Sequence, residues 1–74
     1  MKVRVRLFAS LRAGRFAEAD FDLAEGAVVA AALGAAGVPE AEAAILFLNS
    51  RHVLPGDGLR DGDSLAVFPP VGGG

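Results

Sequence analysis

An α+β fold is predicted for this chain, with one main helix packed on one face of a mixed sheet of about four to five strands. Three observations carry that expectation. Met1 to Phe8 and Glu18 to Leu23 alternate apolar and charged residues with a period of two. One stretch, Val29 to Ala36, repeats apolar residues at helical spacing. Short apolar runs at Ile45 to Leu48 and Ser64 to Phe68 then return to strand character. The resulting order, ββαββ, is a hairpin, a crossing helix and further strands. The right-handed crossover rule places the last strand parallel to the first, inside the sheet.

In the first strand Val3, Val5 and Leu7 alternate with Lys2, Arg4 and Arg6. In the second, Glu18, Asp20 and Asp22 alternate with Ala19, Phe21 and Leu23. Paired antiparallel, they set a basic row against an acidic row on the solvent side. Lys2, Arg4 and Arg6 are therefore expected to be cross-strand partners and not a nucleic-acid patch. The joining loop, Ala9 to Ala17, carries Ser10-Leu11-Arg12, enough for one helical turn. Gly26 is the expected N-cap of the helix, a permissive but weak one. Val29, Leu33 and Ala36 share a face, with Gly37 as the expected C-cap and Pro39 just beyond. Gly34 lowers helix propensity by about 1 kcal/mol relative to alanine, and so many small residues suggest close packing on a sheet. Pro39 to Ala44, with Glu40 and Glu42 near its start, reads as a second short helical turn. Asn49-Ser50-Arg51 is an expected turn, His52 to Leu54 a short return strand, Pro55 to Gly58 a loop and Asp61-Gly62-Asp63 a tight turn. Pro69-Pro70 must end the final strand, because proline cannot donate to the ladder.

Seventy-four residues make one domain, near the lower limit for a self-sufficient core. With no cysteine, disulfides, thiolate metal sites, iron–sulfur clusters and a cysteine nucleophile are all excluded, and the 53% hydrophobic content must build the core alone. A net charge of −2 argues against nucleic acid as a partner. The N-terminus opens on alternating charges and not on an apolar signal sequence. The longest uncharged stretch, Gly26 to Pro39, is too short and too rich in glycine and alanine for a membrane span. A cytoplasmic protein without a membrane partner is expected.

Side-chain chemistry is sparse. His52 is the single histidine, so no histidine metal cluster is expected, and it lacks a serine or cysteine nucleophile to activate. Asp57, Asp61 and Asp63 lie among glycines without EF-hand spacing and read as turn formers. Gly56 and Gly58 do not join a strand to a helix, so no phosphate loop is expected. Glu40 and Glu42, two apart, would not share a helix face. The remaining feature is the ending Val67-Phe68-Pro69-Pro70-Val71-Gly72-Gly73-Gly74. It divides the chain into a folded domain, residues 1–68, and a tail, residues 69–74. A glycine run is thin and conformationally free, and its one reactive group is the α-carboxylate of Gly74. Fully extended, the six residues after Phe68 reach roughly 20 Å. Such a terminus suits a group carrier loaded at one active site and unloaded at another; a bare glycine run alone would equally suit a frayed end.

Leu7-Phe8-Ala9-Ser10-Leu11-Arg12, Leu48-Asn49 and the run from Leu59 through Asp61-Gly62-Asp63 to Phe68-Pro69-Pro70-Val71-Gly72-Gly73-Gly74 resemble the small subunit of molybdopterin synthase, within the ubiquitin-like sulfur-carrier family. The resemblance spans essentially the whole chain, and the Phe-Pro-Pro-Val-x-Gly-Gly ending is its most specific part. Thiamine sulfur carriers, tRNA-thiolation carriers and ubiquitin-like modifiers share the Gly-Gly end but usually lack Phe-Pro-Pro. The resemblance implies a β-grasp, ubiquitin-like fold and a chain that is not catalytic alone. It implies that an adenylating, E1-like partner uses ATP to activate the Gly74 carboxylate. A sulfurtransferase persulfide then yields a thiocarboxylate. The tail would enter the large synthase subunit and give sulfur to cyclic pyranopterin monophosphate, in a heterotetramer of two small and two large subunits that serves molybdenum cofactor biosynthesis. Gly74 would carry the adenylate and the thiocarboxylate. Gly73, Gly72, Val71, Pro70 and Pro69 would thread the partner, Gly72 being the less constrained glycine and the prolines stiffening the exit. Phe68 and Phe8 would anchor the partner surface, with ordinary core packing as their alternative. Arg12 and Asp61 are further candidates for polar contacts. No directly bound cofactor or metal is implied. The helix and the middle of the chain depart from the family pattern in their alanine and glycine content, and His52 stands where an apolar residue is expected. The alternatives are a sulfur carrier for thiamine or tRNA thiolation, a protein modifier joined to lysines, or an interaction module with an inert tail.

Overall fold

Alternation in the first residues produces strand β1 (Lys2–Leu7), whose Val3, Val5 and Leu7 have no exposed surface while Lys2, Arg4 and Arg6 face solvent. The structure is a computed structural model that describes residues 1–70. Strand β2 (Glu18–Asp22) pairs antiparallel with β1, setting Lys2 opposite Asp22, Arg4 opposite Asp20 and Arg6 opposite Glu18. The facing basic and acidic rows expected from the sequence are thus present. Arg4 Nε donates to Asp20 Oδ1 at 2.9 Å and Arg4 Nη1 to Glu18 Oε1 at 2.8 Å. The hydrogen bond to Arg4 holds the Asp20 carboxyl below its ordinary range, and the same bond with the nearby carboxylates raises the Arg4 guanidinium. Both side chains are solvent-exposed, so the pairing fixes register more than it adds stability.

After β2 the chain crosses the sheet as helix α1 (Val29–Ala36), which buries Val29, Ala32, Leu33 and Ala36. Its end is as expected. Gly37 takes the left-handed conformation at φ 75°, its N–H donates to Gly34 O at 3.1 Å, and the Val38 N–H donates to Leu33 O at 2.9 Å. Its start is not. Gly26 does not cap the helix; it turns the chain at φ 85°, and the cap position is Val28, which has no side-chain acceptor. Two free amides of the first turn are instead met by backbone from far along the chain. The Val29 N–H donates to Asp57 O at 2.8 Å and the Ala30 N–H to Pro55 O at 2.9 Å. The loop that supplies them is held to the helix entry by a bridge between Val28 and Gly58 and by the Leu59 N–H on Ala27 O.

Single 3₁₀ turns form at Ala9–Arg12 and Glu40–Glu42, at the two places where a helical turn was expected. Strands β3 (Ile45–Leu48), β4 (Arg51–His52) and β5 (Ser64–Phe68) complete a five-stranded sheet of order β2-β1-β5-β3-β4. Strand β5 lies parallel to β1 in the centre of the sheet, as the crossover rule requires. The return strand expected at His52 to Leu54 is corrected to Arg51–His52. Arg51 belongs to the strand because the turn needs only Asn49 and Ser50, at φ 51° and 70°. Leu54 leaves the ladder because its N–H is taken by Asp57 Oδ2 at 2.7 Å. Ser50 carries a side chain where a two-residue hairpin favours glycine. The Ser50→Gly variant is therefore expected to gain about 0.5 kcal/mol, read as a small rise in the midpoint of denaturant unfolding.

The core lies between α1 and one sheet face. Val3, Val5 and Leu7 of β1, Leu46 and Leu48 of β3, and Leu65 and Val67 of β5 pack there with Val29 and Leu33. No polar side chain is buried among the described residues. Among the described residues the opposite sheet face carries no helix, and that leaves its side chains for other work.

Candidate functional site

Strand parity and the parallel pairing of β1 with β5 build the site. Leu7 pairs with Val67 and both point into the core. The next residue on each strand, Phe8 and Phe68, therefore falls on the open face, side by side. Their rings stack with centroids 4.4 Å apart and planes 11° from parallel. The Phe8 N–H donates to Val67 O at 3.1 Å and carries the ladder one residue past β1. Ala9 follows at φ 52°, a left-handed conformation for a residue with a side chain, and swings the chain away directly after the aromatic ring.

Two further rings join the pair. Phe47 stands edge-on to Phe68 at 6.0 Å, and His52, opposite Phe47 in the β3–β4 pairing, stands edge-on to Phe47 at 5.9 Å. Offset and edge-to-face arrangements of this kind suit the ring quadrupoles. The guanidinium groups of Arg6 and Arg12 lie 5.4 and 5.6 Å from the Phe8 centroid, within cation–π range. Arg12 is steadied there by donating from Nε to Leu7 O at 2.7 Å. Phe8, Phe47 and Phe68 are half-buried and stand outside the buried core cluster. With Arg6, Asn49 and Ser64 they line a shallow cavity of about 380 Å³. Ile45, 37% exposed and paired with Phe68, extends the apolar surface. A half-exposed aromatic cluster rimmed by two cations is chemically suited to hold apolar side chains of another protein beside its carboxylates.

Phe8 and Phe68, singled out in the sequence, are thus brought together at one end of the sheet. Pro69 is half-buried and Pro70 exposed as the chain leaves β5. The remaining tail candidates, Val71, Gly72, Gly73 and Gly74, lie outside the described residues. Arg12 contacts the site through Phe8. Asp61 lies away from the aromatic cluster, its Oδ1 accepting the Lys2 backbone N–H at 2.7 Å. Phe47 and His52 were not legible as members, because Ile45 to Leu48 reads as a continuous apolar run with no stated face. The signal that finds Phe47 is parity, since Leu46 and Leu48 on either side of it are buried. Among the described residues no group of three or more His, Cys, Asp or Glu side chains could hold a metal ion. No helix among them is long and apolar enough to cross a membrane.

A five-stranded mixed sheet with one crossing helix, and an aromatic patch where the tail departs, define a β-grasp domain of the ubiquitin-like type. The ThiS family profile matches residues 5–74, and the chain belongs to that family of ubiquitin-like sulfur carriers. Among solved structures it is similar to SAMP1 from Haloferax volcanii, with 26% identity, full coverage of both chains and a TM-score of 0.80. It is similar, at 32% identity and a TM-score of 0.75, to a Pyrococcus furiosus protein provisionally named molybdopterin converting factor, subunit 1; 96% of this chain and 99% of that one are covered. The HVO 2177 protein of Haloferax volcanii shares 28% identity and a TM-score of 0.77, over all of this chain and 87% of that one. No curated protein matches the sequence.

Proposed function

We propose that this protein is the sulfur-carrying small subunit of a molybdopterin synthase. The observation that carries the reading is the stacked, half-buried Phe8–Phe68 pair on the helix-free face, at the root of the Pro-Pro-Val-Gly-Gly-Gly tail. A partner gripping that patch receives the tail in a fixed direction, because Pro69 and Pro70 restrict φ as the chain leaves it. The likeness to the Pyrococcus furiosus protein supports the same reading.

The chemistry follows from the terminal group. An α-carboxyl titrates near about 3.5, so at neutral pH it is an ionised, poor electrophile. Adenylation by an E1-like partner joins the Gly74 carboxylate to AMP and releases pyrophosphate, which gives the acyl carbon a good leaving group. A persulfide from a sulfurtransferase displaces AMP to give an acyl disulfide; a second thiol then attacks the sulfurtransferase sulfur, forming a disulfide with it and releasing the thiocarboxylate. The tail then enters the large subunit and delivers sulfur to cyclic pyranopterin monophosphate, within a heterotetramer. The chain supplies the sulfur and its positioning; ATP is consumed by the activating partner. A cytoplasmic location accords with such partners.

Likeness to SAMP1 over the full length of both chains favours a second reading, a modifier whose activated C-terminus is joined to lysines of other proteins. One measurement separates the two. Native mass spectrometry of the chain drawn from its source cells with its partners should show an oxygen-to-sulfur mass shift and a companion of large-subunit size. Isopeptide-linked proteins without that companion would favour the modifier. Deleting Gly73 and Gly74 should abolish molybdopterin formation and leave folding intact; unchanged synthesis would refute the molybdopterin reading.

A further inference from the structure

The 74 residues contain one lysine, Lys2. It occupies the first position of β1, is exposed, and projects from the helix-free face. Its backbone is well held, with its N–H on Asp61 Oδ1 at 2.7 Å and its carbonyl accepting from the Gly62 N–H at 2.8 Å. Its side chain is not tied: among the described residues it takes part in no ion pair or side-chain hydrogen bond, whereas Arg4, Arg6 and Arg15 on the same body are each paired with a carboxylate. Beside it lies an open depression of about 540 Å³, bordered by Asp20, Asp61, Asp63 and Ser64, which gives an approaching chain room. The other amine is the α-amine of Met1. It donates to Leu23 O at 2.8 Å and stands 3.9 Å from Glu25, so it is already engaged.

We infer that Lys2 is the site at which a second copy of this chain is joined through Gly74, giving covalent homopolymers with a single linkage type. The inference rests on activation of the Gly74 carboxylate, the step common to both readings above. The Lys2 Nζ lone pair attacks the activated acyl carbon, the carbon–nitrogen bond forms, the bond to AMP or to a thiol breaks, and the amine proton leaves with the departing group or to water. Parallel pairing of β1 and β5 sets donor and acceptor apart. Leu7 pairs with Val67, so the tail leaves beside Phe8, six residues along β1 from Lys2, or roughly 20 Å at strand rise. Linkage at Lys2 therefore leaves the aromatic patch of each unit uncovered, and successive units extend head to tail.

The test uses the full chain prepared chemically as a C-terminal thioester, which needs no activating enzyme. Incubated with unmodified chain, it should give a dimer whose tandem mass spectrum places the isopeptide between Gly74 and Lys2. The charge-preserving Lys2→Arg acceptor, checked for folding by circular dichroism, should lose at least nine-tenths of that product. A dimer that persists with Lys2→Arg, or maps to Met1, overturns the inference. So does absence of dimer when N-acetyl-lysine methyl ester, added as a free amine, does capture the thioester. Pyrophosphate release by the purified adenylating partner tests the activation step separately, so failure of either is recognisable on its own.

Discussion

Alanine at Leu65 is expected to leave much of the protein unfolded at moderate temperature. Leu65 has no exposed surface and sits in the middle of the sheet, paired with Val5 on one side and Leu48 on the other. Removing its side chain forfeits the burial of three carbons and opens a cavity that flanking strands cannot collapse without breaking register. The loss should be about 3 kcal/mol. A domain of this size, without disulfide or metal, sits at the low end of the usual 5 to 15 kcal/mol. The melting temperature should fall by roughly 12 to 24 °C, since each kcal/mol is worth about 4 to 8 °C in so small a chain. Leu54→Ala is the matched control. Leu54 is 63% exposed, and its loss should change stability by less than about 0.5 kcal/mol. Equal effects at both positions would mean that burial does not order the energetics of this fold.

Phe68→Ala should have the largest effect on partner binding. Phe68 is the centre of the half-buried cluster, stacked on Phe8 and met edge-on by Phe47. Its ring is half-exposed, so truncation should cost the isolated protein only about 1 to 2 kcal/mol. If the large synthase subunit docks there as proposed, the same truncation would remove a central aromatic anchor and should weaken binding about 30- to 700-fold. Titration calorimetry below the variant's unfolding temperature reads this directly. Affinity within threefold of the parent would place the docking surface elsewhere, and Phe8 and Phe68 would then be a sheet-stabilising pair.

The elements best read from sequence are those whose cause is local or pairwise. Val3, Val5 and Leu7 against Lys2, Arg4 and Arg6 display period two outright, and the opposite charges of β1 and β2 announce their pairing. Gly37 ends α1 because a left-handed residue is needed within one turn of the last helical residue. The start of α1 misled because its cause lies nearly thirty residues away, in the carbonyls of Pro55 and Asp57. A glycine two residues upstream was the natural local candidate, and a distant loop took its place. Likewise, Phe8 and Phe68 could be set side by side because the crossover rule makes their strands parallel neighbours. Phe47 could not, because an unbroken Ile-Leu-Phe-Leu run hides which residues face the core. His52 reached the site through a turn one residue shorter than expected. The membership of a sulfur-carrier family was legible in the pattern of residues through resemblance and not through geometry.

The borrowed carbonyls at the start of α1 also bear on the order of events in folding. An eight-residue segment with a central glycine cannot hold a helix by itself, since nucleation is unfavourable and isolated helices need about 12 to 15 residues to be even marginal. Two of its opening amides find acceptors only after residues 55–57 have come round. The hairpin of β1 and β2, joined by residues 8–17 and matched by opposed charges, draws no backbone acceptor from residues 55–57. The helix should therefore consolidate late, together with the loop that caps it. Thereafter Val29, Ala30 and that loop should open as one cooperative unit, and their amide protons should exchange with solvent in concert.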